Sequence, residues 1–478
     1  MKHYPLMVPG ATPAAKRAEV RSPNDMQVFA TCDTGGAEVV EKALSTAYAL
    51  FRDRDKWIPV PKRIEVLHKA AEIMQGRFEE LALLIAKEGG KPLIDARVEV
   101  ARAIDGVKNC ADLPRSHPGH VIPMNVNPAS AGRMAFTQKE PIGVVVAVSA
   151  FNHPLNLIVH QVAPAVIAGC PVVVKPAADT PLSCFTFIQI LRDAGYPEAW
   201  AQSLLTENRD VATQLVADKR VAFFSFIGSA AVGWKLKGQL APGARAALEH
   251  GGAAPAIVAE DADLDLTLPK LSKGGFYHAG QVCVSVQRVF AHRSIAQKVA
   301  DGLAALAKKL NVGDATKPET EVGPLIRPAE LKRVDEWIQE AVKGGGKLLC
   351  GGKALANSET FYEPTVIFEP PADCKLSKME VFGPVVCVYA YDSMDEAIAR
   401  ANALPVAFQA SIFTRSYPTA MRAYQRLDAS AVMVNDHTAF RVDWMPFAGL
   451  RESGLGVGGI PYTYHDMTIE KMFVGPSQ

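Results

Sequence analysis

The chain has 478 residues, a net charge of +1, 49% hydrophobic residues and 21% charged ones. That is the make-up of a soluble globular protein of two or three domains at roughly 150 residues each, without the basic excess of a nucleic-acid binder. The N-terminus has no sustained apolar core of a signal peptide. The most apolar long window, 155–174, carries Asn156, His160, Gln161 and two prolines, so it is a poor membrane span.

Residues 61–115 are expected to be helical. Ile64, Leu67, Ala71 and Met74 recur at helical spacing, followed by Phe78, Leu81, Leu84 and Ile85. Gly89-Gly90 reads as a helix C-cap. Residues 117–141 are richer in Pro, Gly and Asn and suggest an extended excursion or hairpin.

From 142 an alternation begins. "IGVVVAVSA" has the β-branched run of a buried parallel strand. "PLNLIVHQVAPAVIAG" reads as a helix, "PVVVKPA" as a strand and "PLSCFTFIQILRDAG" as a helix. "VAFFSFIGS" is then a strand and "AAVGWKLKG" the start of a helix. Strand–helix–strand order implies a doubly wound parallel sheet. After about 250 a second cycle offers strands at "APAIVAE", "VQRVFAH", "TVIFEPP", "VVCVYAYDS", "QASIFT" and "SAVMVN", with helical stretches between. The tail after 460 is expected to be a final strand outside both sheets.

Eight cysteines stand at 32, 110, 170, 184, 283, 350, 374 and 387, with no CxxC pair and no zinc-like spacing to histidine. Reduced thiols in a cytoplasmic protein are the expectation, and no metal site is expected.

Several short stretches can carry chemistry. "GSAAVG" (228–233) has P-loop-like glycines but continues with Trp234, which rules out a Walker site. It still falls where a strand gives way to a helix, so it is either an anion-binding turn or a plain tight turn. Lys175 ends a strand at the edge where parallel sheets bind ligands, and is either a ligand contact or a solvated terminus. Asn152 in "SAFNHPLN" is either a helix N-cap or an amide donor to an oxyanion. Glu249 in "LEHGG" is either salt-bridged or a general base. Cys283 in "GQVCVSVQR", read alone, is a buried small hydrophobe or a nucleophile.

Taken in order, these stretches resemble the aldehyde dehydrogenase superfamily over nearly the whole chain. "AFNHP", "VVVKPA", "FIGSAAVG", "LEHGG", "GQVCVSVQR", "EVFGPV" (380–385) and "MPFAGLRESGLG" (445–456) resemble seven family motifs. The resemblance implies an α/β fold with three parts. A doubly wound cofactor domain takes 1–118 and 142–250, and a second α/β catalytic domain takes 251–445. A small β arm, 119–141 with 460–478, joins copies into a homodimer or homotetramer.

The resemblance also implies an NAD- or NADP-dependent oxidation of an aldehyde to its carboxylate. Cys283 would be the nucleophile, Asn152 the oxyanion donor and Glu249 the base. Lys175, Pro176, Phe151, Gly228, Ser229, Gly233, Glu380 and Phe382 would hold the cofactor. CoA-acylating relatives share the thioester but usually lack the base present here as Glu249. The intact Cys283, Glu249 and Asn152 set likewise disfavours a purely structural role.

Departures from the family pattern carry information. Where the NAD-type pattern often has Glu, three residues after the lysine, this chain has Ala178, followed by Asp179. Alanine neither holds a ribose 2′-OH nor repels a 2′-phosphate, so the choice of cofactor is open. His250 and Ala448 read as packing changes. His153, in place of the usual aromatic, would line the substrate tunnel with Phe447, as a polar and sometimes cationic group. Arg102 and Arg441 could add a bidentate clamp. Together they favour a short aldehyde with a carboxylate, phosphonate, sulfonate or hydroxyl tail; the bland alternative leaves both arginines on the surface.

Overall fold

The computed structural model describes residues 1–477. The first sheet has six strands, in spatial order Gly454–Leu455, Arg245–Glu249, Val221–Ile227, Val144–Val148, Val172–Lys175 and Ala201–Ser203. All its pairings are parallel except that of Gly454–Leu455. Chain order reverses between Val144–Val148 and Val221–Ile227, and ligands bind outside the strand C-termini at such a switch point. The central valines are fully buried, as helices on both faces require.

The strand Arg245–Glu249 gives no β signal in sequence: Arg-Ala-Ala-Leu-Glu is a run of helix formers. Parallel pairing with Phe223–Ile227 overrides that preference. It leaves Glu249 at the strand's C-terminal end.

The second sheet has seven strands. Their spatial order is Lys347–Cys350, Thr365–Phe368, Val385–Tyr391, Val286–His292, Ala254–Val258, Gln409–Phe413 and Ala431–Val434. The six expected strands are there; Lys347–Cys350, short and half exposed at the antiparallel edge, was not expected. Each sheet has its own apolar core.

The helical stretch is three helices, Val60–Gly76, Phe78–Gly89 and Leu93–Ser116, and Gly90 closes the second in a left-handed conformation. Asn156–Ala168 is the helix expected after the first strand. It accounts for the apolar window at 155–174 by burial inside the protein, and no described helix is long and apolar enough to cross a membrane.

The 117–141 excursion is a hairpin whose strand Arg133–Pro141 pairs antiparallel with Thr468–Pro476. The tail differs from expectation at its start. Ile460–Asp466 is a helix, and its Ile460 and Tyr464 are buried in the first core. Apolar side chains at 460 and 464 recur at helical spacing, and that burial outweighs extension.

Candidate active site

A cavity of about 960 Å³ runs between the two sheets. Cys283, Glu249, Asn152, Glu380, His153, Arg102, Arg441 and Phe447 line it together, with Phe151, Gly228, Ser229 and Phe382. These come from all along the chain, and the ends of strands and the turns after them bring them to one place.

All eight cysteines are free thiols; seven are buried and Cys283 is half-buried at the cavity wall. It follows a left-handed stretch, His278, Ala279 and Gly280, at φ 49°, 55° and 70°. Gln281 pins this loop: its side chain donates to the Pro324 carbonyl at 3.1 Å and accepts from the Ile326 N–H at 2.9 Å. The Gln281 carbonyl accepts from Asn152 Nδ2 at 2.9 Å, so the amide is held beside the cysteine loop. Asn152 is thus not an N-cap; Leu155 holds that place, and Glu99 accepts from the Leu155 and Asn156 N–H groups.

Burial pushes the Cys283 thiol up to about 12, helped by the Glu380 and Glu249 carboxylates and opposed by Arg441. Burial also raises Glu249, again opposed by Arg441, and raises Glu380 to about 8, opposed by Arg333. Two carboxyls that bind protons above their usual range therefore share the cavity with a thiol whose pKa is also raised. That is the pairing expected of an acid–base site.

Both carboxyls are seated by glycines. A Cβ on Gly458 would lie 2.0 Å from Glu249 Oε1, and one on Gly251 would lie 1.7 Å from Glu380 Oε1. The glycine-rich run 454–459, "GLGVGG", therefore makes room for Glu249, a role sequence spacing does not reveal.

The residues expected at the cofactor fit a dinucleotide. The turn Gly228-Ser229 precedes the helix Ala230–Lys237, whose free N–H groups suit a pyrophosphate. His250 braces that turn: its Nδ1 donates to the Gly228 carbonyl at 2.9 Å, and a Cβ on Gly233 would strike its ring at 2.0 Å. The Lys175 ammonium, its pKa lowered by burial, bonds at 3.1 Å to the carbonyl of buried Pro176. Glu380 Oε1 is buried and has no partner among the described residues, as befits a group waiting for a ribose hydroxyl. Phe151 and Phe382 meet edge to face at 5.7 Å.

The tail end differs from the expected clamp. Neither arginine is a surface residue, but Arg102 is already engaged. It makes a bidentate pair with Asp443, at 2.8 and 3.1 Å. Asp443 is 1% exposed and also accepts from His160 at 2.7 Å and Asn156 at 3.0 Å. Despite burial, His160 and Arg102 hold its carboxyl well below the usual range.

Arg441 is the available cation. Its guanidinium lies over the Phe447 ring at 3.5 Å, and its Nε has no partner among the described residues. Burial lowers its pKa, opposed by Glu249.

His153 is corrected from sometimes cationic to neutral. Burial, with the charges of Lys91 and Arg102, keeps its pKa well below the ordinary value. Its Nε2 is 3.3 Å from the Tyr277 hydroxyl, so it meets a substrate as a neutral hydrogen-bonding group.

Sequence reading missed Asp443, Gln281, Tyr277 and Gly458. Only Gln281, two residues before Cys283, lay inside a recognised motif. Among the described residues no group of three or more His, Cys, Asp or Glu is arranged to hold a metal.

Comparison with known proteins agrees with this geometry. The model of the "Aldehyde dehydrogenase family" matches residues 11–473. A 3-sulfolactaldehyde dehydrogenase from Priestia aryabhattai is 36% identical over 475 residues, covering 99% of this chain and 98% of that protein. Aldehyde dehydrogenase 21 from Physcomitrella patens, solved with the reaction product succinate, superposes with a TM-score of 0.94 at 35% identity, covering 99% of this chain and 98% of that one. A glyceraldehyde-3-phosphate dehydrogenase from Methanocaldococcus jannaschii, complexed with NADP, superposes at 0.91 with 34% identity, covering 97% and 100%. The chain belongs to the aldehyde dehydrogenase family, as an NAD(P)-dependent enzyme.

Proposed function

We propose that this enzyme oxidises a short aldehyde with an anionic or hydroxylated tail to the carboxylate, through a thioester on Cys283. Cys283 gives up its proton to solvent and reacts as the thiolate, the nucleophilic form of a cysteine. The thiolate attacks the aldehyde carbon, forming the S–C bond and an oxyanion. Asn152 Nδ2 and the Cys283 N–H are the donors available to that oxyanion, and fixed donors in a dry site favour the charge as it develops. Bound NAD or NADP supplies the hydride acceptor. Glu249 then takes a proton from the water that hydrolyses the thioester, and Cys283 leaves as the thiolate. Lys175 and Glu380 are the side chains proposed to hold the two riboses, and the Gly228-Ser229 turn the pyrophosphate.

One observation carries the substrate reading: the half-buried Arg441 at the cavity wall, whose buried Nε has no partner among the described residues. A buried cation is costly unless something anionic meets it. Neutral His153 beside Tyr277 suits a hydroxyl on the same substrate. The aldehyde in one relative's name, 3-sulfolactaldehyde, and the reaction product bound in another, succinate, are short and anionic. The test is a panel of short anionic, short neutral and long alkyl aldehydes, assayed with NAD and NADP in parallel. The expected result is kcat/KM on the order of 100-fold higher for anionic than for neutral short aldehydes, the scale of one charge-assisted contact in a closed site. Preference for long alkyl aldehydes would contradict it.

The arm Arg133–Pro141 with Thr468–Pro476 leaves Met134, Met472, Phe473 and Val474 exposed. That apolar face supports a homodimer or homotetramer, for which light scattering behind gel filtration is the check. The cytoplasm is the proposed compartment, on the grounds of eight unpaired thiols.

A further inference from the structure

The loop after Lys175 carries one acid, Asp179, next to Ala178. Asp179 is not free to face a ribose. Its Oδ2 accepts from Arg327 Nη1 at 2.8 Å, across the cleft from the catalytic domain. Arg327 stands just before the helix Pro328–Lys343, lines the same cavity, and also donates to Glu330 at 2.9 Å. Lys175 is near enough for the Asp179 charge to act on it. Arg327 thus reaches the loop that follows the strand Val172–Lys175. The acid of that loop is held by the arginine.

We propose that Arg327 reads the 2′ position of the adenosine ribose. It would release Asp179 and grip the 2′-phosphate of NADP, with Lys175 as the second cation. The pair is open enough for such an exchange: the Arg327 side chain is 45% exposed and that of Asp179 34%. Ion pairs this exposed are weak, whereas arginine binds phosphate through two parallel N–H donors. With NAD the arginine stays on Asp179, and the two domains remain bridged over the adenosine end. Ala178 offers no carboxylate to oppose a phosphate. Both cofactors are then accepted, and Arg327 sets the NADP share. This inference rests only on a dinucleotide occupying the cleft; it is independent of which aldehyde is oxidised.

Fragment binding tests it without turnover. Quenching of protein fluorescence, Trp337 being in the cavity wall, would report Kd for 2′,5′-ADP and for 5′-AMP. R327Q is expected to weaken 2′,5′-ADP by about 10-fold or more, the loss of a bidentate phosphate contact, and 5′-AMP by less than about 3-fold. D179N removes one of the two acids that hold Arg327, leaving Glu330, and is expected to tighten 2′,5′-ADP by roughly 3-fold. In assays the NADP to NAD ratio of kcat/KM should fall with R327Q and rise with D179N. If R327Q weakens both fragments equally, or neither, or if D179N weakens 2′,5′-ADP, the proposal is overturned.

Discussion

The two walls of the cleft are built by different means. One wall is made of strand ends and the turns after them: Ala177 after Val172–Lys175, Gly228-Ser229 after Val221–Ile227, Glu249 at the end of Arg245–Glu249. Sheet register fixes those positions. The tail wall is made of side chains from segments far apart in sequence. Arg102 and Asp443 are 341 residues apart, and Asp443 also gathers His160 and Asn156. One wall follows from topology and the other from a buried ion network.

This difference separates variants by what they change. At the seam between the walls, losses should be large and the same for every aldehyde. C283A removes the nucleophile, and kcat should fall by roughly 10⁴ or more with every substrate, as for other covalent catalysts. E249Q should lower steady-state kcat by about 10²–10⁴, the scale of a general base.

The pH profile gives E249Q a sign. Glu249 has a raised pKa, so its basic form appears only as pH rises above the ordinary carboxylate range. In the native enzyme activity should rise along that limb. In E249Q the limb should vanish, leaving only hydroxide-driven hydrolysis at high pH. N152A should lower kcat by about 10²–10³, the cost of one oxyanion donor.

On the tail wall the effects should be smaller and selective. R441Q should raise KM for anionic aldehydes by roughly 10–100-fold while leaving neutral ones within about 3-fold. An equal loss on neutral aldehydes would break the division between the walls. D443N should be smallest in catalysis, a several-fold rise in KM for anionic aldehydes. It should also lower the thermal midpoint, because Arg102 and His160 lose a shared buried acceptor, a loss of about 2–3 kcal/mol.

The same contrast explains what was legible in the sequence. Both sheets could be read because buried parallel strands need runs such as Val144–Val148 and Val385–Tyr391. Cys283, Glu249 and Asn152 could be read because each lies in a local motif. The strand Arg245–Glu249 could not, because pairing rather than propensity makes it a strand. The tail wall was half legible: Arg102 and Arg441 could be picked out, but not that Asp443 engages one and leaves the other. That outcome depends on contacts between helices and a loop hundreds of residues apart, and no local pattern encodes them. His153 was read correctly as a polar group at the cavity, but its charge state depends on burial and on nearby Lys91 and Arg102.

The central claim is a thioester on Cys283 that Glu249 hydrolyses. Mixing E249Q with cofactor and a short anionic aldehyde, then following reduced cofactor and the intact mass of the protein, tests it most directly. The account predicts a burst of about one equivalent of reduced cofactor per site and an acyl adduct that maps to Cys283. Linear turnover at the native rate, with no adduct on Cys283, would contradict it.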